Sequence, residues 1–264
     1  MSDVDIEHLA TWIGKKESHS EAISPGLIER FRATFDAYLW QQDADIAPLG
    51  LHWCLAPPAV VDGELGPDGH PARGGFLPPV PLPSRMWAGG ELSFKSPLRA
   101  GDMVTRNSTI TDVKAKTGKT GALVFVTVDH QIMVGDRLAI SERQDIVYKG
   151  NVPKRAPSLE PAATGKGAHH MGPVQLFRYS AMTFNGHRIH YDRDYAQNEE
   201  GYLDLVVHGP LQATLLMNNA ARQLDAMPGR FSYRGLAPLF ANQTFDINGA
   251  TSDDARQVWI ENQN

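Results

Sequence analysis

The sequence has little cysteine, no long apolar run and no excess of basic residues. Cys54 is the only cysteine among 264 residues, so the chain cannot form an internal disulfide or a zinc site built from several cysteines. This favours a reducing, cytoplasmic location. The apolar runs, such as Leu123–Val128, are far shorter than the roughly 20 residues of a membrane-spanning helix. We therefore expect no membrane segment, and the acidic first residues do not resemble a secretory signal.

Charge and composition narrow the class of protein further. The formal net charge is −5 at pH 7, which disfavours a nucleic-acid partner and means that any basic pocket must be local. Hydrophobic residues make up 42% of the chain and charged residues 21%, which is typical of a folded globular protein. At roughly 150 residues per domain, the length is enough for two units.

Glycine and proline, with 24 and 18 residues, are concentrated in two segments. Residues 56–85 form a stretch too long for an ordinary connector, and we interpret it as a loop that wraps a surface or gates a pocket. Residues 149–173 lack any apolar period and are the best candidate for a domain linker. This predicts an N-terminal unit over 1–148, a linker over 149–173 and a C-terminal unit over 174–264.

Hydrophobic periodicity predicts an α+β class, with a helix and an antiparallel sheet in each half. Ser24 and Pro25 predict a helix start within a mostly helical N-terminal region, and Pro210 predicts a second, strongly apolar helix that continues until Pro228. Period-two patterns predict four strands, at Glu91–Phe94, Met103–Val113, Ala122–Met133 and Leu138–Tyr148. In the second half we predict strands at Val174–Phe184, at the short apolar run Leu205–Val207, and at Phe231–Arg234, Gln243–Asn248 and Gln257–Glu261.

The densest run of polar side chains covers residues 183–192, where asparagine, histidine, arginine, tyrosine and aspartate follow a predicted strand. Imidazole is suited to acid–base catalysis because its unperturbed pKa is about 6.5. A second feature is His208-Gly209-Pro210 at the start of the predicted helix. The unpaired N–H groups of a helix start suit a developing oxyanion.

These two segments resemble the MaoC-like (R)-specific enoyl-CoA hydratases. Their signature is Asp-x-Asn-Pro-aliphatic-His followed by a small residue, and Asn185–His190 with Ala196 is similar to it. Val206–Gly209 resembles the start of the family's central helix. Over 176–240 the chain is closer still to the fungal-synthase-like dehydratase branch, which includes mesaconyl-CoA hydratases, and the resemblance is weaker over 84–150.

The resemblance implies a double hot-dog fold and specific roles for three residues. His190 corresponds to the catalytic histidine that activates the water added across the α,β double bond. Gly209 corresponds to the backbone N–H that binds the thioester carbonyl. Asn185 lies where the signature has aspartate. The N-terminal unit, which has no such motif beside its sheet, would contribute the tunnel for the acyl chain or the coenzyme A arm.

Asn185 is a departure that matters, because an amide cannot act as a base. We favour the interpretation that Asn185 only orients the water while His190 handles the proton alone. The alternative is that a neighbour, His187 or Asp192, takes over the role of the aspartate. His208 is a further supporting residue.

The substrate implied by the closest branch is an unsaturated dicarboxylic monothioester, such as mesaconyl-CoA or itaconyl-CoA. Its free carboxylate calls for a guanidinium, since arginine binds carboxylates in a bidentate manner. Arg188, Arg85 and Arg234 are the candidates. The fatty-acid type of 3-hydroxyacyl-thioester dehydratase is an alternative, which would need an apolar tunnel instead.

We expect no metal and no redox cofactor, with coenzyme A entering as part of the substrate. A metal bound by His187, His190 and His208 is the alternative, although their spacing matches no familiar ligand set. Two other function classes stay open: a hot-dog acyl-CoA thioesterase and a non-catalytic acyl-CoA-binding subunit. The last predicted strand lies near Asn264, and a homodimer is one way to complete that edge of the sheet.

Overall fold

The computed structural model describes residues 4–40, 43–118, 121–150, 169–251 and 255–262. The helices are α1 (Ile6–Ala10), α2 (Pro25–Phe35), α3 (Pro173–Thr183), α4 (Arg193–Asn198) and α5 (Gly209–Leu224), with 3-10 turns at Asp36–Tyr38, Leu51–Cys54, Asp62–Glu64 and Arg188–His190. The strands are β1 (Lys16–Ala22), β2 (Ser84–Phe94), β3 (Met103–Gly118), β4 (Gly121–Val134), β5 (Arg137–Lys149), β6 (His169–His170), β7 (Arg230–Arg234), β8 (Thr244–Thr251) and β9 (Arg256–Asn262).

The strands form two antiparallel sheets in the part of the chain that the structure describes. The larger sheet has the order β1-β3-β4-β5-β2-β7 and the smaller one the order β6-β8-β9. β7 lies in the C-terminal half but pairs with β2, with Gly89 opposite Arg234. The predicted α+β class with antiparallel sheets is confirmed. The predicted linker falls largely on residues 151–168, which lie outside the described residues.

The main hydrophobic core is built from both halves of the chain. Phe31 of α2, Leu92 of β2 and Leu215 of α5 are all buried in one cluster. The rings of Phe35 and Tyr179 meet edge-on at 5.8 Å and join α2 to α3. Burial of each such side chain is worth roughly 1.5–3 kcal/mol, so packing between the halves holds α3 and α5 in position. Among the described residues, no helix is both long and apolar enough to cross a membrane.

The predicted strand at Val174–Phe184 is wrong, because this segment is helix α3. Its N-terminal Gly172 N–H donates to the Gln175 side chain, and Pro173 occupies the first turn, where its missing N–H costs nothing. The mostly helical interpretation of the first 45 residues is also incomplete, since β1 pairs with β3 there.

The helix that begins at Pro210 in the sequence analysis is confirmed as α5, with Gly209 as its first residue. It ends at Leu224, ahead of Pro228, because Asp225 turns the backbone into the left-handed region at φ 49°. Of the predicted strand at Leu205–Val207, the structure shows a single bridge between Val206 and Phe240. That bridge matters because it places the Val206 carbonyl beside the predicted catalytic loop.

Candidate active site

His190 lies in a 3-10 turn directly after α3 and is almost fully buried, with 7% of its surface exposed. Its Nδ1 is 2.7 Å from the carbonyl oxygen of Val206. A carbonyl only accepts hydrogen bonds, so Nδ1 carries the proton and Nε2 is the nitrogen available to a substrate or water. Burial and the nearby His187 lower the pKa of His190 to about 3. The ring is therefore neutral at pH 7 and can act as a base.

His208, the residue before α5, packs against the ring of His190. The two rings stack with centroids 3.6 Å apart, and His208 Nε2 lies 2.8 Å from the Ser180 hydroxyl of α3. His208 has no exposed surface and does not line the cavity described below. Its position indicates a packing role that fixes the plane of the His190 ring.

Asn185 and His187 belong to the turn that precedes His190 and lies at the cavity wall. The Asn185 Oδ1 accepts a hydrogen bond of 3.0 Å from the His187 backbone N–H, so the amide nitrogen is the free end of the Asn185 side chain. The ring of His187 is 5.4 Å from that of His190, and its Nε2 is 4.0 Å from Glu200. Both Asn185 and His187 line the cavity together with His190.

Gly209 lies on the same cavity wall at the N-terminus of α5. No side chain caps this end of the helix, and the next residue, Pro210, has no N–H. A Cβ at position 209 would lie 3.0 Å from the Trp87 ring, so a side chain here would displace that ring slightly, and glycine avoids this. The helix start therefore presents an N–H group and positive partial charge to the cavity.

The cavity has a volume of about 2390 Å³ and is lined by residues of both halves. As the sequence analysis anticipated, the loop over 56–85 lines it and contributes His70, Arg73 and Phe76, among others. This loop is fastened to the turn at 185–188. Arg188 N–H donates to the Asp68 carbonyl at 2.9 Å, and a Cβ on Gly69 would overlap the Gly186 carbonyl oxygen.

Sequence reasoning missed two residues that this loop brings into the site, Asp68 and His70. The His70 Nδ1 is 3.1 Å from the Asp68 carboxylate, and its ring lies 4.0 Å from that of His187. Glu200 was also missed, and it accepts a hydrogen bond from Ser84 at 3.1 Å. The only sequence signal for His70 was its place in a glycine-rich loop longer than a connector needs.

Like His208, the candidate residues Arg188 and Asp192 lie outside the cavity wall. The Arg188 guanidinium donates to the Asp192 carboxylate at 2.8 Å and to the Pro67 carbonyl at 3.1 Å. The other Asp192 oxygen accepts from the Tyr195 N–H and caps α4. Because the two side chains pair with each other, Asp192 is not placed to act as a base. Arg188 instead links the loop over 56–85 to the turn at 185–188.

The other two arginine candidates do line the cavity. Arg85, on β2, is half-buried and close enough to His70 for its charge to lower the pKa of that ring. Its side chain forms no hydrogen bond or ion pair with any residue that the structure describes, although its charge is close enough to the Asp68 carboxyl to help lower the pKa of that group. Arg234, at the end of β7, is exposed. Arg85 is thus the inner cation of the site and Arg234 an outer one.

One cluster of side chains that could bind a metal ion lies among the described residues. Asp68, His70 and His187 each offer a ligand atom within 4.8 Å of the others, a set that differs from the three histidines considered above. The Asp68 carboxylate is already paired with His70, and the charge of Arg85 opposes a cation at this place. We therefore keep the expectation of a metal-independent reaction.

Activity is accordingly expected to survive removal of metal ions. After incubation with an excess of EDTA and gel filtration, the hydration rate should stay within about 20% of the untreated enzyme, because we expect imidazole, and not a metal, to activate the nucleophile. A large loss that returns on addition of Zn²⁺ or another divalent ion would contradict this expectation.

Comparison with known proteins agrees with this geometry. Residues 50–241 match the family described as hydroxyacyl-thioester dehydratase type 2. The chain is 43% identical over 252 residues to the mesaconyl-C(4)-CoA hydratase of Chloroflexus aurantiacus, covering 92% of this chain and 89% of that protein.

Solved structures bear out the predicted fold. HtdX of Mycobacterium tuberculosis has a TM-score of 0.66 and 17% identity, with 94% of each chain covered. Another protein of that organism, described as having a double hotdog fold, has a TM-score of 0.56 and 13% identity, with 96% of this chain and 90% of that one covered. The chain therefore belongs to the MaoC-like hydroxyacyl-thioester dehydratase type 2 family, and it is a carbon–oxygen lyase with a hot-dog fold.

Proposed function

We propose that this enzyme reversibly hydrates the α,β double bond of an enoyl-CoA whose acyl group is a branched C5 dicarboxylic acid of the mesaconyl or itaconyl type. Coenzyme A enters as part of the substrate, and no metal or redox cofactor takes part. The observation that carries the proposal is the position of Arg85: a half-buried guanidinium without an ion-pair partner among the described residues, in the cavity wall beside the histidine cluster. A simple fatty enoyl chain offers nothing for such a cation to bind.

The proton chemistry on the water side belongs to His190. Its Nε2 accepts a proton from water while the water oxygen bonds to Cβ, and the π electrons move towards the thioester carbonyl oxygen. Because Nδ1 donates to Val206, the positive charge that forms on the ring is shared with a fixed dipole. General acid–base catalysis of this kind is worth about 10²–10⁴-fold in rate.

Two groups assist this step without transferring a proton. The Gly209 N–H at the start of α5 stabilises the enolate oxygen, in the manner of an oxyanion hole. The Asn185 amide nitrogen is left free by the bond from Oδ1 to His187, and it donates to the oxygen of the attacking water. Asn185 thereby orients the water, as the sequence analysis favoured.

The chemistry of such a substrate requires a cation beside the carbon that water attacks. In the C4 thioester of an α,β-unsaturated, methyl-branched C5 diacid, the free carboxylate is attached to Cβ, the carbon that water attacks. Arg85 supports this requirement, because it lines the same cavity as His190 and is close enough to His70 for its charge to help lower the pKa of that ring. The similarity to a mesaconyl-C(4)-CoA hydratase supports the same substrate class.

A panel of enoyl-CoA thioesters tests the proposal with the unmodified enzyme. Loss of absorbance of the conjugated thioester should be at least about tenfold faster, as kcat/KM, with mesaconyl-CoA than with crotonyl-CoA, because only the former pairs with Arg85. Free thiol is measured in parallel. A clear preference for crotonyl-CoA contradicts the dicarboxylic substrate and favours the fatty-acid type of dehydratase, whereas release of thiol indicates a thioesterase.

A further inference from the structure

His70 lines the cavity and pairs with Asp68, and the mechanism above uses neither residue. The Asp68 carboxylate contacts His70 twice. It accepts a hydrogen bond from the His70 backbone N–H and lies beside Nδ1, and each distance is 3.1 Å. Such a carboxylate fixes which nitrogen of the ring carries the proton and stabilises the ring when it becomes charged. His70 Nε2 is then the nitrogen that can exchange a proton with a substrate.

We propose that His70, held by Asp68, is the second acid–base residue of the reaction and exchanges the proton at Cα, while His190 exchanges the proton of the water. This deepens the proposed function and rests on it. The pair supplies what Asn185 lacks, a carboxylate coupled to proton transfer, from a loop that is distant in the sequence.

The position of His70 supports this assignment. It lines the same cavity as His190, and the ring of His187 is a neighbour of both, with its centroid 4.0 Å from that of His70 and 5.4 Å from that of His190. The loop is held against the turn at 185–188 by the Gly69–Gly186 contact and by the bond from Arg188 to the Asp68 carbonyl. Those contacts place His70 reproducibly, as proton transfer requires.

The two substitutes for the missing aspartate that the sequence suggested are less well placed. Asp192 caps α4 and pairs with Arg188, outside the cavity wall. His187 does line the cavity, but its nearest carboxylate, Glu200, is 4.0 Å from Nε2, beyond hydrogen-bond distance. Of the two histidines, only His70 has a carboxylate within hydrogen-bond distance of its ring.

The protons gained and lost by the two histidines balance over one turnover. In hydration, neutral His190 takes a proton from water as the Cβ–O bond forms, and protonated His70 gives its Nε2 proton to Cα as the enolate collapses. His190 then carries one proton more and His70 one fewer. Transfer of that proton through solvent or through His187 restores the starting state. In dehydration each step runs in reverse, with His70 as the base at Cα.

The charges that face His70 favour its neutral form in the free enzyme, which suits its role as the base at Cα in dehydration. Burial, Arg85 and His187 lower the pKa of His70 well below its ordinary value, and Asp68 offsets only part of this lowering. A dicarboxylic substrate neutralises Arg85 and so removes one of the lowering influences. Binding of the correct substrate therefore raises the pKa of His70 towards the range in which it can donate.

Conservative variants of the full-length enzyme test the proposal on whichever enoyl-CoA the unmodified enzyme hydrates fastest. His70→Gln should lower kcat by about 10²–10⁴-fold with KM changed less than about threefold. Asp68→Asn should lower kcat by about tenfold or more. Asp62→Asn, in the same loop, is the matched control and should leave kcat unchanged, because Asp62 is exposed and does not line the cavity.

An isotope effect separates proton transfer from a purely structural role. In dehydration of the hydroxyacyl-CoA deuterated at Cα, His70→Gln should increase the kinetic isotope effect on kcat, since removal of that proton becomes slower than the other steps. A kcat within about threefold of the unmodified enzyme, a loss confined to KM, or an unchanged isotope effect overturns the proposal. A preference for crotonyl-CoA would overturn only the dicarboxylic substrate, because the comparison of variants remains valid on that substrate.

Discussion

Replacement of His190 by alanine is expected to lower kcat by about 10³-fold or more, whichever enoyl-CoA is used. In the proposed mechanism the variant lacks the base that takes the water proton, and acid–base catalysis by one positioned group is worth about 10²–10⁴-fold. Loss of the stacking on His208 adds disorder to the same site. Steady-state hydration kinetics with the purified variant measure the effect.

The matched comparison for this variant is His187→Ala, in the same turn and equally buried. Its loss should be clearly smaller, since His187 is not the residue assigned to either proton transfer. Circular dichroism and thermal unfolding show whether both variants are folded, because His190 also makes a buried hydrogen bond to Val206 worth about 1 kcal/mol. Near-normal turnover of His190→Ala together with a lost turnover of His187→Ala would show that the assignment is wrong.

Replacement of Arg85 by glutamine is expected to change the substrate preference more than the chemistry. For mesaconyl-CoA, kcat/KM should fall by about 10- to 100-fold, because a hydrogen bond to a charged group contributes about 1.5–3 kcal/mol and 1.4 kcal/mol corresponds to a factor of ten. For crotonyl-CoA, which has no second carboxylate, kcat/KM should not fall, because this substrate loses no contact and His70 loses a charge that lowers its pKa. The ratio of the two values is the quantity to measure.

Arg143→Gln is the control for this experiment. Arg143 lies on β5 and pairs with Asp145 at 3.2 Å, away from the cavity wall, so neither substrate should be affected by more than about twofold. Equal losses on both substrates in Arg85→Gln would indicate that Arg85 supports the shape of the site and does not bind the substrate carboxylate.

The elements that the sequence predicted well are those with a local physical cause. Strands β3 to β5 follow the period-two pattern of a half-buried sheet, and α5 follows the Gly-Pro start and an apolar stripe at helical spacing. Of β2, the pattern marked only the last four residues, Glu91–Phe94. The turn at 185–190 was found in the same way, since its polar residues are contiguous. Such signals need no knowledge of distant parts of the chain.

The predictions that failed have equally specific reasons. In α3 the apolar Val174 and Phe177 are exposed, at 62% and 64%, so they masked the helical spacing of the buried residues. β1 was missed because it is a polar strand at the edge of the sheet. The burial of its side chains alternates along the strand, but nearly all of them are polar, so the sequence shows no alternation of apolar and polar residues. In both cases the burial pattern is set by neighbouring elements and not by the local sequence.

By itself, the sequence determined the α+β class, the start of α5 with Gly209, and the presence of His190 and Asn185 in one turn. Only the tertiary structure decided which groups surround them. It brought Asp68, His70 and Arg85 to that turn and committed Arg188 to a structural ion pair. The physical reason is that hydrogen bonds, burial and charge act over a few ångströms in space, and the contact between the loop at 66–70 and the turn at 185–188 exists only after both halves have packed on a common core.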